Sequence, residues 1–424
     1  MKNTPLLILF FTVFIDLIGF GIVLPLLPNY AGELGASPLE IGVIVSSFSF
    51  MQFFFAPFWG TLSDRIGRRP VFLISIFTSA LSYLLFAKSH NIALLLISRV
   101  LAGIGSANIS TAQAYIADIS EQGKRSKAMG IIGAAFGLGF IFGPPIGGIL
   151  KTHYGIEMVG YTAAALSMLD LLITYLFLPE SLKGITYNLS LLSLWKRVSK
   201  DKLAQDEGNH DKARNLAPWK FQLIDFNKLF QAISRAESRL FLAINFLYIF
   251  AFVNMQVSLA LLCKQRYSFD DKTVGYLFAF LGFVSALLQG GLIGRLSKRF
   301  GDQRLLLMGS VLMLFGIVGI PFVPVGVGAV FYELIPVALL GLGYGLIAPT
   351  NVSLFSLSFD EAEQGEQLGI FQSVGALARI IGPFTGSTLF GLDQHAPYLL
   401  GGCFLLIAIY FAYLLQASAN GGKR

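Results

Sequence analysis

A chain of 424 residues that is 55% hydrophobic, only 13% charged and +0.69 in mean hydropathy has too few polar side chains to cover a soluble surface. Its net charge of +7 does not point to a nucleic-acid partner, because the basic residues are scattered through short loops instead of forming one face. Cys263 and Cys403 stand far apart without a metal-ligand spacing, so no disulfide framework, metal site or cofactor is expected.

A helix needs roughly 20 apolar residues to cross a bilayer. Such stretches recur from Pro5 to Leu415, and the spacing predicts twelve spans: residues 5–28, 38–60, 71–88, 91–115, 127–150 and 158–178, then 240–262, 272–295, 303–323, 327–352, 368–391 and 395–416. The first is too long for a signal peptide, carries Asp16 at its centre and lacks a small-residue cleavage site. Most of the 31 Lys and Arg fall in loops on the N-terminal side, which predicts that both termini lie in the cytoplasm. The hydrophilic stretch from Glu180 to Arg239, with Trp195 and Trp219 beside basic residues, reads as a cytoplasmic linker with interfacial helices.

The halves on either side of this linker repeat. Gly130, Gly143, Pro144 and Gly147 recur as Gly369, Gly382, Pro383 and Gly386, and the segment GTLSDRIGRRP at 60–70 is echoed by GRLSKRFGDQR at 294–304. An even number of spans per half makes both enter from the same side, so the axis relating them runs along the membrane normal. The expected fold is an all-α membrane protein of two six-helix bundles, residues 1–179 and 240–424, joined by the linker 180–239, with a cleft between them for a small-molecule substrate.

Ionisable residues within spans are costly, which makes Asp16, Arg99, Asp170, Glu333 and Arg379 candidates for substrate or proton binding. Asp170 is expected as a packed acid, Glu333 as facing the cavity near the outer surface, and Arg379 as a cation that is either structural or cavity-lining. Gln113, Asn254 and Gln256 fit neutral cavity contacts and helix-to-helix hydrogen bonds equally well. No catalytic constellation is present: His90, His153, His210 and His395 do not cluster, and neither HExxH nor a P-loop occurs.

Gly60, Asp64, Arg65, Gly67, Arg68 and Arg69, with Arg99 and Gly103, and then Gly130, Gly139, Gly143, Pro144, Gly147 and Gly148, together resemble the loop, fourth-span and fifth-span signatures of the major facilitator superfamily. The resemblance covers nearly the whole chain. It is most specific to tetracycline/proton antiporters and multidrug exporters, from FIDLIGFGIVLPLLP through RVLAGIGSANISTAQAYIADIS to FLPES. It implies a monomeric, proton-coupled antiporter of the bacterial cytoplasmic membrane that exports amphipathic molecules by alternating access; proton-coupled uptake of a siderophore or sugar is the alternative. It also implies that Asp16 and Arg99 lie on cavity helices, and that Asp64 and Arg68 form a cytoplasmic charge cluster with Asp118. The fifth-span glycines would give a smooth, bendable face on which the two halves rock. Two departures matter. Neither 71–87 nor 303–323 contains an acid, so a cargo other than tetracycline is expected, and Lys298, Asp302 and Gln303 replace an acid and two arginines, so the second latch should be the weaker.

Overall fold

The structure, a computed structural model, describes residues 4–106, 108–119, 125–181, 236–359 and 361–421, and among these it is helical with no strand. The predicted linker, including Trp195 and Trp219, falls almost entirely outside the described residues. Helix α1 (Thr4–Val23) ends in a turn at Pro25, and α2 (Leu27–Glu33) continues it with Pro28 in its first turn, where a missing N–H costs nothing. A capping box starts α3 (Pro38–Ile66): the Glu40 amide donates to Ser37 Oγ at 3.3 Å and the Ser37 amide to Glu40 Oε2 at 2.8 Å. Gly67, at φ 104° and ψ 157°, is a one-residue reversal into α4 (Arg68–Ala87). The backbone there is one that only glycine adopts freely. Next come α5 (Ile92–Gly105), capped by Asn91, α6 (Asn108–Ile119), α7 (Arg125–Tyr154) and α8 (Ile156–Phe177).

The second half opens with α9 (Ala236–Gln265) and α10 (Asp271–Leu287), the latter capped by Asp270. A π turn at Leu288–Leu292 leads into α11 (Ile293–Phe300), and α12 (Asp302–Gly319) ends in a 3₁₀ turn at Ile320–Phe322. Helices α13 (Ala329–Ser356), α14 (Glu361–Leu392) and α15 (Ala396–Gly421) complete the chain.

Among the described residues, ten helical segments are long and apolar enough to cross a membrane. The other two predicted spans correspond to α5 with α6, interrupted near Ser106, and to α7. Large apolar side chains such as Phe177, Phe315, Phe331 and Tyr410 point outward, as suits a molecule whose solvent is lipid. Within the first half α1 packs on α7 and α8, and α4 on α5 and α8; within the second, α9 packs on α14 and α15, and α12 on α13 and α15. The halves meet mainly where α7 lies on α10 and α3 on α14.

Two expectations need correction. The 60–70 motif is not a loop: α3 runs on to Ile66, so Gly60, Asp64 and Arg65 are helical and the reversal is confined to Gly67. Nor is the fifth-span glycine face mainly a sliding surface between halves. Gly139, Gly143 and Gly147, four residues apart, press against α1 inside the first half, where a methyl on Gly143 would stand 2.7 Å from Gly21 Cα. Only the adjoining stripe reaches the other half: a methyl on Gly148 would lie 2.8 Å from Lys272 Cα, and one on Gly282 3.1 Å from Phe140 O.

Candidate functional site

Buried polar groups gather in each half. In the first, Arg99 of α5 is 4% exposed; its guanidinium lies 5.3 Å from the Phe86 ring centroid, and its Nη2 has no hydrogen-bond partner. Tyr83 of α4, which the sequence reading missed, stands between Arg99 and α1 and is within electrostatic reach of both Arg99 and Asp16. Gly19, one turn on from Asp16, leaves the room for that ring: a methyl there would be 3.3 Å from the Tyr83 hydroxyl. One turn back from Asp16 on the same face of α1, the Thr12 and Thr174 hydroxyls are 3.0 Å apart, and Thr174 donates to Asp170 Oδ1 at 3.5 Å. Asp170 is fully buried on α8, faces Asp16 electrostatically and leaves its Oδ2 without a partner. The half-buried Asp16 thus sits between a tyrosine–arginine pair and a second acid.

In the second half Arg379 of α14 lies beside Tyr248 of α9 and Tyr344 of α13. Tyr344 stacks on Phe252 at 4.3 Å between centroids and meets Tyr248 edge-on at 6.0 Å. No carboxylate among the described residues pairs with Arg379, which has Tyr248 and Tyr344 within electrostatic reach. Asn254 is fully buried where α14 crosses α9, with both polar atoms of its side-chain amide unpartnered, and a methyl on Gly386 would stand 2.7 Å from its main-chain carbonyl oxygen. Gln256 is 9% exposed with Nε2 unpartnered, whereas Gln113 is exposed. Glu333, expected in the cavity near the outer surface, is instead enclosed within the second half at 0% exposure. No group of three or more His, Cys, Asp or Glu among the described residues could hold a metal ion.

Ion pairs mark both ends of the molecule. At the end where α1 begins, Arg68 Nη1 lies 2.6 Å from Asp64 Oδ1 and its Nε 3.0 Å from Asp118 Oδ2, and Nη1 also donates to Ser63 Oγ at 2.6 Å. Glu180 caps α4 by accepting from the Arg68 and Arg69 amides at 2.9 and 3.1 Å, a role that motif reading missed because it acts across more than a hundred residues. The repeat replaces this charge cluster with hydrogen bonds, since Asp302 accepts from the Ser297 hydroxyl and, at 3.2 Å, from that of Ser353. At the opposite end Lys151 of α7 lies 2.9 Å from Glu33 Oε1 and 3.0 Å from Asp271 Oδ2, joining the first half to the second. Lys151 and Asp271 are nearly buried there, at 9% and 8% side-chain exposure, so the pair is little screened.

A family model described as Major Facilitator Superfamily matches residues 9–383. Multidrug resistance protein 2 of Bacillus subtilis (strain 168) is 26% identical, over 99% of this chain and 97% of its own length. The class C tetracycline resistance protein of Escherichia coli is 27% identical, over 96% of each. A solved structure described as the human organic anion transporter MFSD10 (TETRAN) covers 97% of this chain and 99% of its own, with a TM-score of 0.66 at 24% identity. At that identity the likeness is one of fold.

Proposed function

Since the chain belongs to the major facilitator superfamily, we propose that it is a proton-coupled secondary transporter that exports drugs or other amphipathic small molecules by alternating access. On this reading twelve crossings form two six-helix bundles related by an axis along the membrane normal, in a bacterial cytoplasmic membrane with both termini inside. Support comes from matched helix pairs: α1–α7 corresponds to α9–α14, α4–α8 to α12–α15, α3–α5 to α10–α13, and the crossing contact α7–α10 to α14–α3. The relatives named for multidrug and tetracycline resistance support export.

The observation that carries proton coupling is Asp16, held in the first half between Tyr83 with Arg99 and the buried Asp170. An acid so placed responds to any change in its neighbours, because charge in a membrane interior is sustained only by partners. Protonation from outside would release the cargo, and the return of the proton inward would reset the site. Lys151 closes the outer end in the present state, and the Arg68 cluster helps set which end opens. Arg379, with Tyr248, Phe252 and Tyr344, offers a counter-ion and aromatic faces to a cargo with an anionic group, in keeping with the organic anions named for the human structure.

The test is growth of a susceptible bacterial strain expressing the chain, screened against many toxic compounds. Protection by the wild type that Asp16→Asn abolishes is the expected result, and equal protection by both removes Asp16 from the mechanism. In inside-out vesicles under an imposed proton gradient, the compound should evoke proton release; proton movement in the opposite sense would mean uptake.

A further inference from the structure

Glu333, in the second turn of α13, has no use in the reading built on Asp16. It is 0% exposed, and neither carboxylate oxygen has a hydrogen-bond partner. The titratable groups facing it come from two other elements. Cys263, Arg266 and Tyr267 lie at the end of α9, and Tyr398 at the start of α15. Cys263 and Tyr398 are also 0% exposed, and the Tyr398 hydroxyl is unpartnered. Ile320 and Val337 belong to the same packed cluster. A lone carboxylate is costly in such surroundings, so this packing accommodates the neutral carboxyl group.

From Arg266, the cation facing Glu333, a series of polar contacts leads to the surface, although no hydrogen bond joins Arg266 to Glu333 itself. Arg266 Nη1 lies 3.3 Å from His395 Nε2, and a guanidinium can only donate, so that ring nitrogen accepts. The imidazole proton is then on Nδ1, which donates to Asp393 Oδ1 at 3.2 Å. Side-chain exposure rises outward, to 30% at His395 and 63% at Asp393. The main-chain amide of His395, 2.6 Å from the same Asp393 oxygen, holds that carboxyl below the usual carboxylate range. Arg266 itself is incompletely satisfied, since its Nε has no partner.

We propose that Glu333 is a second proton-binding site whose charge is coupled, with Arg266 as the group that responds to it, to His395 in the α14–α15 turn. It deepens the transport reading only in supposing that the turn faces the outer compartment. The only bond that changes is the O–H bond formed or broken at a Glu333 oxygen as it exchanges its proton with water; Arg266, which cannot give up a proton, senses the charge and does not relay it. While Glu333 is neutral, Arg266 rests on His395. Once Glu333 ionises, the guanidinium gains a buried anion to pair with and leaves the imidazole, which unties the turn from α9. Proton occupancy inside the second half thereby reaches the loop that positions α15.

The full chain in lipid vesicles tests this by infrared difference spectroscopy between about pH 5 and about pH 9, a window that brackets carboxyl and imidazole titration. The expected result is a buried-carboxyl C=O band that gives way to carboxylate absorption as pH rises, lost in Glu333→Gln, shifted in Glu333→Asp and kept in Asp16→Asn. His395→Ala should keep the band and move its midpoint. Identical spectra for wild type and Glu333→Gln, with matching thermal melts, would overturn the site. So would a band whose midpoint His395→Ala leaves unmoved, since the charge of Glu333 would then not be coupled to that residue. Because no cargo is needed, a failed drug screen leaves this result standing, and a failed spectrum leaves the role of Asp16 untouched.

Discussion

Arg68 and Arg99 are both nearly buried, at 7% and 4% exposure, yet they are treated in opposite ways. Arg68 is satisfied by two carboxylates and a serine, whereas Arg99 has a ring face, the Ser98 hydroxyl at 3.4 Å and one idle nitrogen. A well-partnered charge holds a conformation; an under-partnered one is available to change. Arg68→Ala should therefore destabilise this state by about 2 kcal/mol, less than a fully buried pair because Asp64 is largely exposed. The readout is a shift in the accessibility of engineered cysteines at the two ends. Arg68→Lys should recover only part of the loss, since an ammonium cannot reproduce the planar fork that serves Asp64, Asp118 and Ser63 together. The candidate charged residues themselves were legible in the sequence, because an acid or arginine inside an apolar run stands out. Tyr83 was not, because a tyrosine in a span is ordinary until its neighbours are known.

Among helices, the motif glycines divide by what surrounds them. Gly143 and Gly139 have backbone against them, while a methyl on Gly60 or Gly369 would meet nothing within 4 Å. Gly143→Leu should separate α7 from α1 and lower both thermal stability and transport, whereas Gly60→Ala should leave packing unchanged and add up to about 1 kcal/mol of helix propensity. Equal losses for the two would refute the division. Sequence spacing found the glycines, but it assigned the whole stripe to the contact between halves, since the rotation of a helix about its axis is fixed only by its neighbours. Asp270 illustrates a cap with a pH signature: its bond from the Thr273 hydroxyl, aided by the Thr273 amide at 2.9 Å, keeps its carboxyl below the usual range. With a folded value under the unfolded one, its contribution is complete above about pH 4 and is lost as pH falls through the lowered value. Asp270→Ala should cost about 1 kcal/mol at neutral pH, and the difference from wild type should vanish in acid melts.

Across the whole molecule, the two halves are tied at the end opposite the start of α1. Lys151 bridges Glu33 and Asp271 there, and the Ser46 hydroxyl donates to the Ile380 carbonyl at 2.6 Å. Lys151→Met keeps the bulk but leaves Asp271 nearly buried without its cation, so that end should open more often. Distances between spin labels placed on α2 and α10 should then gain a longer population, and an unchanged distribution would mean that apolar packing alone holds the closure. The second half's counterpart of the Arg68 cluster, Asp302 with Ser297 and Ser353, has no ion pair among the described residues, so Asp302→Asn should change the accessibility of the engineered cysteines less than Arg68→Ala does.

The linear sequence by itself determined that the chain is helical and lives in lipid, and it displayed the recurring motif. These follow from runs of apolar residues and the recurrence of glycines and prolines, which are properties of neighbours along the chain. It could also name which charges were out of place. Only the tertiary structure decided which of them meet: that Asp16 faces Tyr83 and Asp170, that Glu333 is enclosed in the second half, that Lys151 reaches Asp271, and that Gly143 presses on α1. The reason is that contacts between residues a hundred or more positions apart depend on how each helix is rotated and crossed. That orientation is set by packing against the neighbouring helices and leaves no mark on spacing within any one span.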